Sequence, residues 1–181
     1  MSTLTPHAIQ TVPHEVHRLA IPVNASFDDF RARYEAAVPR LDAERFKALM
    51  AEGAGWDAVL RATAENAPHD FIVYWSFDDG LLRLAGDRWR CVEYLMGNHT
   101  IAERMYRHDP AILLYAPLRT AIYVDAGGTT RFTIDQPSTR FGSFGTPEIA
   151  EVGLELDRKV ATLLELLGAP VPPGLTRPRH P

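Results

Sequence analysis

The sequence predicts an α+β fold: an antiparallel sheet of four to five strands packed against helices, with a long C-terminal helix and a small helical segment inserted near the N-terminus. Residues 26–65 carry helix caps and helical spacing. Residues 70–96 and 118–135 shift to a period of two, rich in aromatic and β-branched side chains. Residues 146–168 trace one apolar stripe between a start signal and a stop signal.

Taken in order, residues 1–12 contain Pro6 and no clear period, and read as a flexible lead-in. His14 to Val23 alternates and reads as a first strand. Ser26 followed by Asp29 is an N-cap with an acidic third residue, opening a helix that runs to about Ala37 and stops at Pro39. Asp42 begins a second helix with Phe46, Leu49 and Met50 on one side. Gly53 and Gly55 break it, and Trp56 to Glu65 forms a third. Residues 70–77 (DFIVYWSF) and 88–96 (RWRCVEYLM) read as strands, with a turn at Asp78-Asp79-Gly80. A short helix from His99 to about Arg107 is stopped by Asp109-Pro110. Residues 118–124 and 130–135 flank Asp125-Ala126-Gly127-Gly128, a hairpin by its turn chemistry. Thr146 as N-cap, Pro147 in the first helical position and Glu148 facing the dipole open the last helix. Ile149, Val152, Leu156, Val160, Leu163 and Leu167 form its stripe, and Gly168 with Pro170 ends it. The organisation expected is a single domain over residues 13–168, followed by a Pro-rich disordered tail over 169–181.

At 181 residues and 46% hydrophobic composition the chain supports a sizeable core. Nineteen basic against 23 acidic residues give a net charge of −4, which argues against a nucleic-acid partner. A lone Cys91 rules out an intrachain disulfide and any Cys-rich metal site. No basic start leads into an apolar segment and no apolar run is long enough to span a bilayer, so a cytoplasmic protein without a membrane partner is expected.

Between Tyr94 and Gly168 the chain runs through Gly97-Asn98-His99, a short helix, Asp109, Leu113-Leu114 and Pro117, then a hairpin ending at Asp135 and the long helix. This order resembles the bacterial family known as domain of unknown function 302. His99 stands where that family usually has proline. The resemblance implies a compact α+β fold with an antiparallel sheet, and a dimer; it implies no chemistry.

The candidate site comes from the residues themselves. His108 beside Asp109 reads as a general base, or as a helix C-terminal histidine with Asp109 ordering the turn before Pro110. Asp135 at a strand end reads as its acidic partner or as a turn residue. Arg119 and Tyr115 flank Ala116-Pro117, where Arg119 is suited to a substrate carboxylate or to pairing with Asp135 or Asp109. His99 and Arg104 belong to the same helix as His108, and Tyr74 to an aromatic strand that reads as core or as pocket lining. The expectation is a pocket between sheet and helices with His108, Asp135 and Asp109 catalytic, and Arg119, Tyr115, His99, Arg104 and Tyr74 binding the ligand. The function expected is binding of a small anionic organic molecule, with cofactor-independent lyase, isomerase or cyclase chemistry as an extension. The alternatives are a non-catalytic homodimeric interaction domain, and haem or metal binding through His99 or His108. No metal or cofactor is assigned.

Overall fold

A computed structural model of the chain describes residues 9–176; residues 1–8 and 177–181, the outer parts of the expected lead-in and tail, lie outside the described residues. Five strands form one antiparallel sheet in the order β1-β5-β4-β3-β2: β1 (Arg18–Pro22), β2 (Ile72–Asp78), β3 (Cys91–Gly97), β4 (Leu118–Val124) and β5 (Thr130–Asp135). The helices are α1 (Phe27–Ala37), α2 (Ala43–Ala51), α3 (Trp56–Asn66), α4 (Gly80–Arg83), α5 (His99–Tyr106), α6 (Pro137–Phe141) and α7 (Pro147–Leu166). The α+β architecture and its long last helix are those that the sequence predicts.

Local rules account for most boundaries. Ser26 accepts from the Asp29 amide, closing the start of α1, and Asp42 accepts from Arg45 in the same way for α2. Helix α7 ends in a Schellman motif: Gly168 adopts φ +68°, while the Ala169 amide reaches back to the Leu164 carbonyl and the Gly168 amide to that of Glu165. The first strand is shorter than its alternation suggests. Arg18 already faces Asp135, the last residue of β5, so residues 14–17 have no strand left to pair with.

Alternation along the sheet separates two faces. Val92, Tyr94, Met96, Ile122, Phe132 and Ile134 are buried in one core with α1, α5 and α7. Glu93, Leu95, Arg119, Ala121 and Thr133 point to the other side and stay partly or fully accessible. All six stripe positions of α7, from Ile149 to Leu167, are buried. Burial of one such side chain is worth about 1.5–3 kcal/mol, so this helix anchors the layer.

The expected disordered tail is corrected over residues 169–176. Leu175 is 2% exposed within the core, and the Gly174 carbonyl accepts from Nε2 of the Gln136 side chain. Gln136 also donates to Asp157, whose other oxygen accepts from the Ser138 amide at the start of α6. A buried carboxylate thereby ties the end of β5, α6, α7 and the tail together, with the hydrogen bonds that burial demands.

Candidate functional site

A cavity of about 220 Å³ lies between the sheet and the helices, and none of His108, Asp109, Arg119 and Asp135 lines it. Met105 and Ala102 of α5, Leu156 of α7, Phe141 of α6 and Leu118 of β4 give it apolar walls. Its polar groups, Tyr74, Asn98 and His99, gather on one side.

Chain geometry explains the gathering. Strand β2 has a register shift between Val73 and Trp75, so Tyr74 is the extra residue of a bulge and its hydroxyl turns towards α5. Asn98 caps α5 by accepting from the Thr100 and Ile101 amides, which fixes His99 as the first helical residue. The His99 ring then spans two elements. Nε2 lies 2.7 Å from Thr63 Oγ1 on α3, and Nδ1 lies 2.7 Å from Tyr74 Oη. Thr63 donates its hydroxyl hydrogen to the Val59 carbonyl, so it must accept from His99, which puts the ring proton on Nε2. Nδ1 therefore accepts from Tyr74, and the same phenolic oxygen accepts from the His99 amide at 3.0 Å. Burial lowers the His99 pKa below its ordinary 6.5 and pushes the Tyr74 phenol up to about 12. The pair is neutral at neutral pH, and both ring nitrogens are engaged.

A second cavity, of about 370 Å³, opens at the strand ends around Tyr115, Arg119, Asp135 and Arg140. Arg140 is bonded to Asp135 and stacks 4.9 Å over the Tyr115 ring; the Asp135 carboxylate raises its pKa. Arg119 pairs with Glu93 at 2.8 Å, not with Asp135 or Asp109 as its sequence position suggests. The register sets Arg119 opposite Leu95, which makes Glu93 a diagonal neighbour on the same face.

The eight expected residues thus fall into separate groups. Tyr74 and His99 share the apolar cavity, and Tyr115, Arg119 and Asp135 share the charged one. His108 and Arg104 border a third, shallower depression beside Glu148 and Glu151 at the start of α7. His108 is exposed, because α5 ends at Tyr106 and the chain leaves the line through Ile101 and Met105 before reaching it. His108 and Asp135 share none of these cavities, so they do not form the expected acid–base couple. Asp109 caps the 3₁₀ turn Pro110–Leu114 by accepting from the Ala111 amide at 2.8 Å. Arg140 and Asn98 complete the two cavities, and Thr63 holds the His99 ring, without having been singled out as ligand-binding residues. For Arg140 a signal was present: Gln136-Pro137 is a helix start with Pro in its first position. Thr63 gave none, since its partner lies 36 residues away. Among the described residues, no group of three or more His, Cys, Asp or Glu is placed to hold a metal ion. No helix among them is long and apolar enough to cross a membrane.

Comparison with known proteins gives fold and family. The model of the family described as "Domain of unknown function DUF302" matches residues 56–167, reaching back to the start of α3. No curated protein matches. Among solved structures, the chain is similar to that of an uncharacterized conserved DUF302 protein from Bacillus stearothermophilus, with a TM-score of 0.60 and 17% identity over 83% of this chain and 97% of that one. At that identity the likeness is one of fold.

Proposed function

Because the chain belongs to the DUF302 family, whose description assigns no activity, we propose from its cavity that it binds a small, predominantly apolar organic molecule between sheet and helices. The observation that carries this reading is the lining of that cavity: apolar walls with a single polar edge of Tyr74, Asn98 and His99. Mostly apolar concavities with a few convergent polar groups are the usual form of small-molecule sites. An apolar cavity of roughly 150 Å³ suffices to take up benzene, so about 220 Å³ suits one ring or a short chain.

The same lining favours binding over turnover. Among the described residues no carboxylate borders the cavity, His99 has neither ring nitrogen free, and a phenol pushed up to about 12 is a poor proton donor at neutral pH. The expected proton-transfer chemistry drew on His108 and Asp135, which lie on other surfaces.

The test is calorimetric titration of the chain with 3-phenylpropanol. Binding is expected, and Ala102→Leu, which fills the cavity from α5, is expected to weaken it at least tenfold. Undetectable binding to the wild type, or equal affinity in the variant, would remove the proposal.

A second reading, self-association, draws on Trp75, Leu81, Leu82, Leu84 and Trp89, all exposed on or near the edge strand β2. Light scattering that returns a monomer mass at about 0.1 mM, a concentration at which a ~10 µM complex would be mostly associated, would dismiss it.

A further inference from the structure

The two cavities meet at one wall. Leu113, Ala116, Pro117 and Leu118 line both, so a single layer of chain separates the apolar space from the charged one. Leu113, on the 3₁₀ turn, is 55% exposed, and core packing does not hold its rotamer.

Two guanidinium groups, Arg119 and Arg140, face the second cavity. Each is paired with a carboxylate, Arg140 with Asp135 and Arg119 with Glu93, so the charges balance at rest. Arg140 is oriented from two sides, by Asp135 at one terminal nitrogen and by the Tyr115 ring beneath its plane. A guanidinium has five N–H donors, so donors remain beyond those used on Asp135. Among the described residues Arg119 pairs with Glu93 alone, and its side chain is 77% exposed. An exposed pair of that kind is worth little, so Arg119 can exchange Glu93 for a ligand carboxylate at small cost.

Resting on the cavity reading above, we infer that the ligand is an organic monoanion with a compact apolar body. The body occupies the space between Met105, Ala102 and Leu156. The carboxylate passes Leu113 and is received by Arg140, with Arg119 swinging over to close on it. A planar fork of N–H donors matches a carboxylate better than any neutral group. Releasing Glu93 frees the charge of one guanidinium, which a single carboxylate matches, and a cation would meet two arginines.

Three probes separate the parts: 3-phenylpropionate carries body and charge, 3-phenylpropanol the body alone, and acetate the charge alone. By titration calorimetry at low ionic strength, the acid is expected to bind about ten- to a hundredfold more tightly than the alcohol, the range that hydrogen bonds to a charged group supply. Arg140→Gln is expected to erase that advantage and leave the alcohol unaffected. An acid no tighter than the alcohol, or an Arg140→Gln variant that weakens both alike, overturns the inference while the alcohol's binding keeps the cavity reading. Acetate binding as tightly as 3-phenylpropionate also overturns it, by making the charged cavity a separate site. If neither phenyl probe binds, both readings fall. Should Arg140→Gln not fold, exposed Arg119→Gln replaces it: a several-fold loss confined to the acid supports the inference, and an affinity for the acid unchanged from wild type counts against it.

Discussion

Replacing Tyr74 by phenylalanine isolates the polar edge of the apolar cavity. The ring and its packing stay; only Oη goes. That oxygen donates to His99 Nδ1 over 2.7 Å and accepts from the His99 amide over 3.0 Å. A buried polar group left without its partner costs about 1–3 kcal/mol. Two groups lose a partner here, but both border a space that a water molecule can enter, which places the total near 2 kcal/mol. For a chain of this length such a loss lowers the melting temperature by about 4–8 °C. Urea unfolding followed by circular dichroism measures it, with an unchanged slope showing that the denatured state is the same. The pH dependence gives a second, independent reading. Burial holds the folded His99 pKa below the unfolded value of 6.5. The neutral ring's contribution is therefore complete above pH 6.5 and is lost as the pH falls through the folded value. The phenol's O–H, bonded to Nδ1, adds to the preference for the neutral ring. Without it His99 takes up a proton more readily, so wild type loses more stability than the variant on acidification. The gap between them should narrow from pH 7.5 to pH 5. A midpoint unchanged by the substitution, or a gap that widens towards acid, would refute the proton placement argued for His99.

Three further outcomes follow from named contacts. Gly97→Ala should destabilise the protein by about 1–3 kcal/mol in urea unfolding, since its new Cβ would sit 3.2 Å from Pro117 Cβ and 3.3 Å from Pro117 Cα. Asp157→Ala should cost about 3 kcal/mol or more by the same assay, because the Ser138 amide and the Gln136 side chain would lose their buried acceptor. Leu175→Ala should cost about 2–5 kcal/mol, and a midpoint equal to that of wild type would show that the tail contributes nothing to the core.

What could be read in the sequence was local. Ser26 with Asp29, the Asp42 cap, the Asp125–Gly128 hairpin and the Thr146-Pro147 start with its six-residue stripe each depend on neighbours within a turn or two, and the structure has them, although Thr146 makes no side-chain capping bond. What failed to show depends on partners far along the chain. Helical spacing placed His108 in line with Ile101 and Met105 only while the helix continued, and it ends two residues short. The Arg119 partner is set by the β3–β4 register, which no spacing within β4 reveals. Five prolines made residues 169–181 look disordered by composition. Yet Leu175, one apolar side chain among them, docks in the core. His99 was legible as the helix opening, but its ring turns inward to Thr63 and Tyr74, 36 and 25 residues away.

Around the apolar cavity, departures from regular strand and helix geometry coincide in space. Around it the regular rules are broken one after another: β2 carries an extra residue at Tyr74, β3 ends in a glycine against which Pro117 packs too closely for a Cβ, and α5 is only eight residues long. Elsewhere in the core, Phe30, Tyr34, Tyr94, Phe132 and Ile149 are at 0% exposure, so the chain packs closely where it keeps to the pattern. Random loosening would leave unsatisfied polar groups behind, but among the described residues no buried side-chain nitrogen or oxygen lacks a partner. The bulge that displaces Tyr74 from the strand alternation is the same feature that gives His99 its donor, and His99 in turn links α5 to α3. A void framed by satisfied hydrogen bonds differs from a packing fault: its polar edge is held in place before anything enters it. Local rules that fail together, with every buried side-chain polar group of the described residues accounted for, are what the proposal of a ligand in this space draws on.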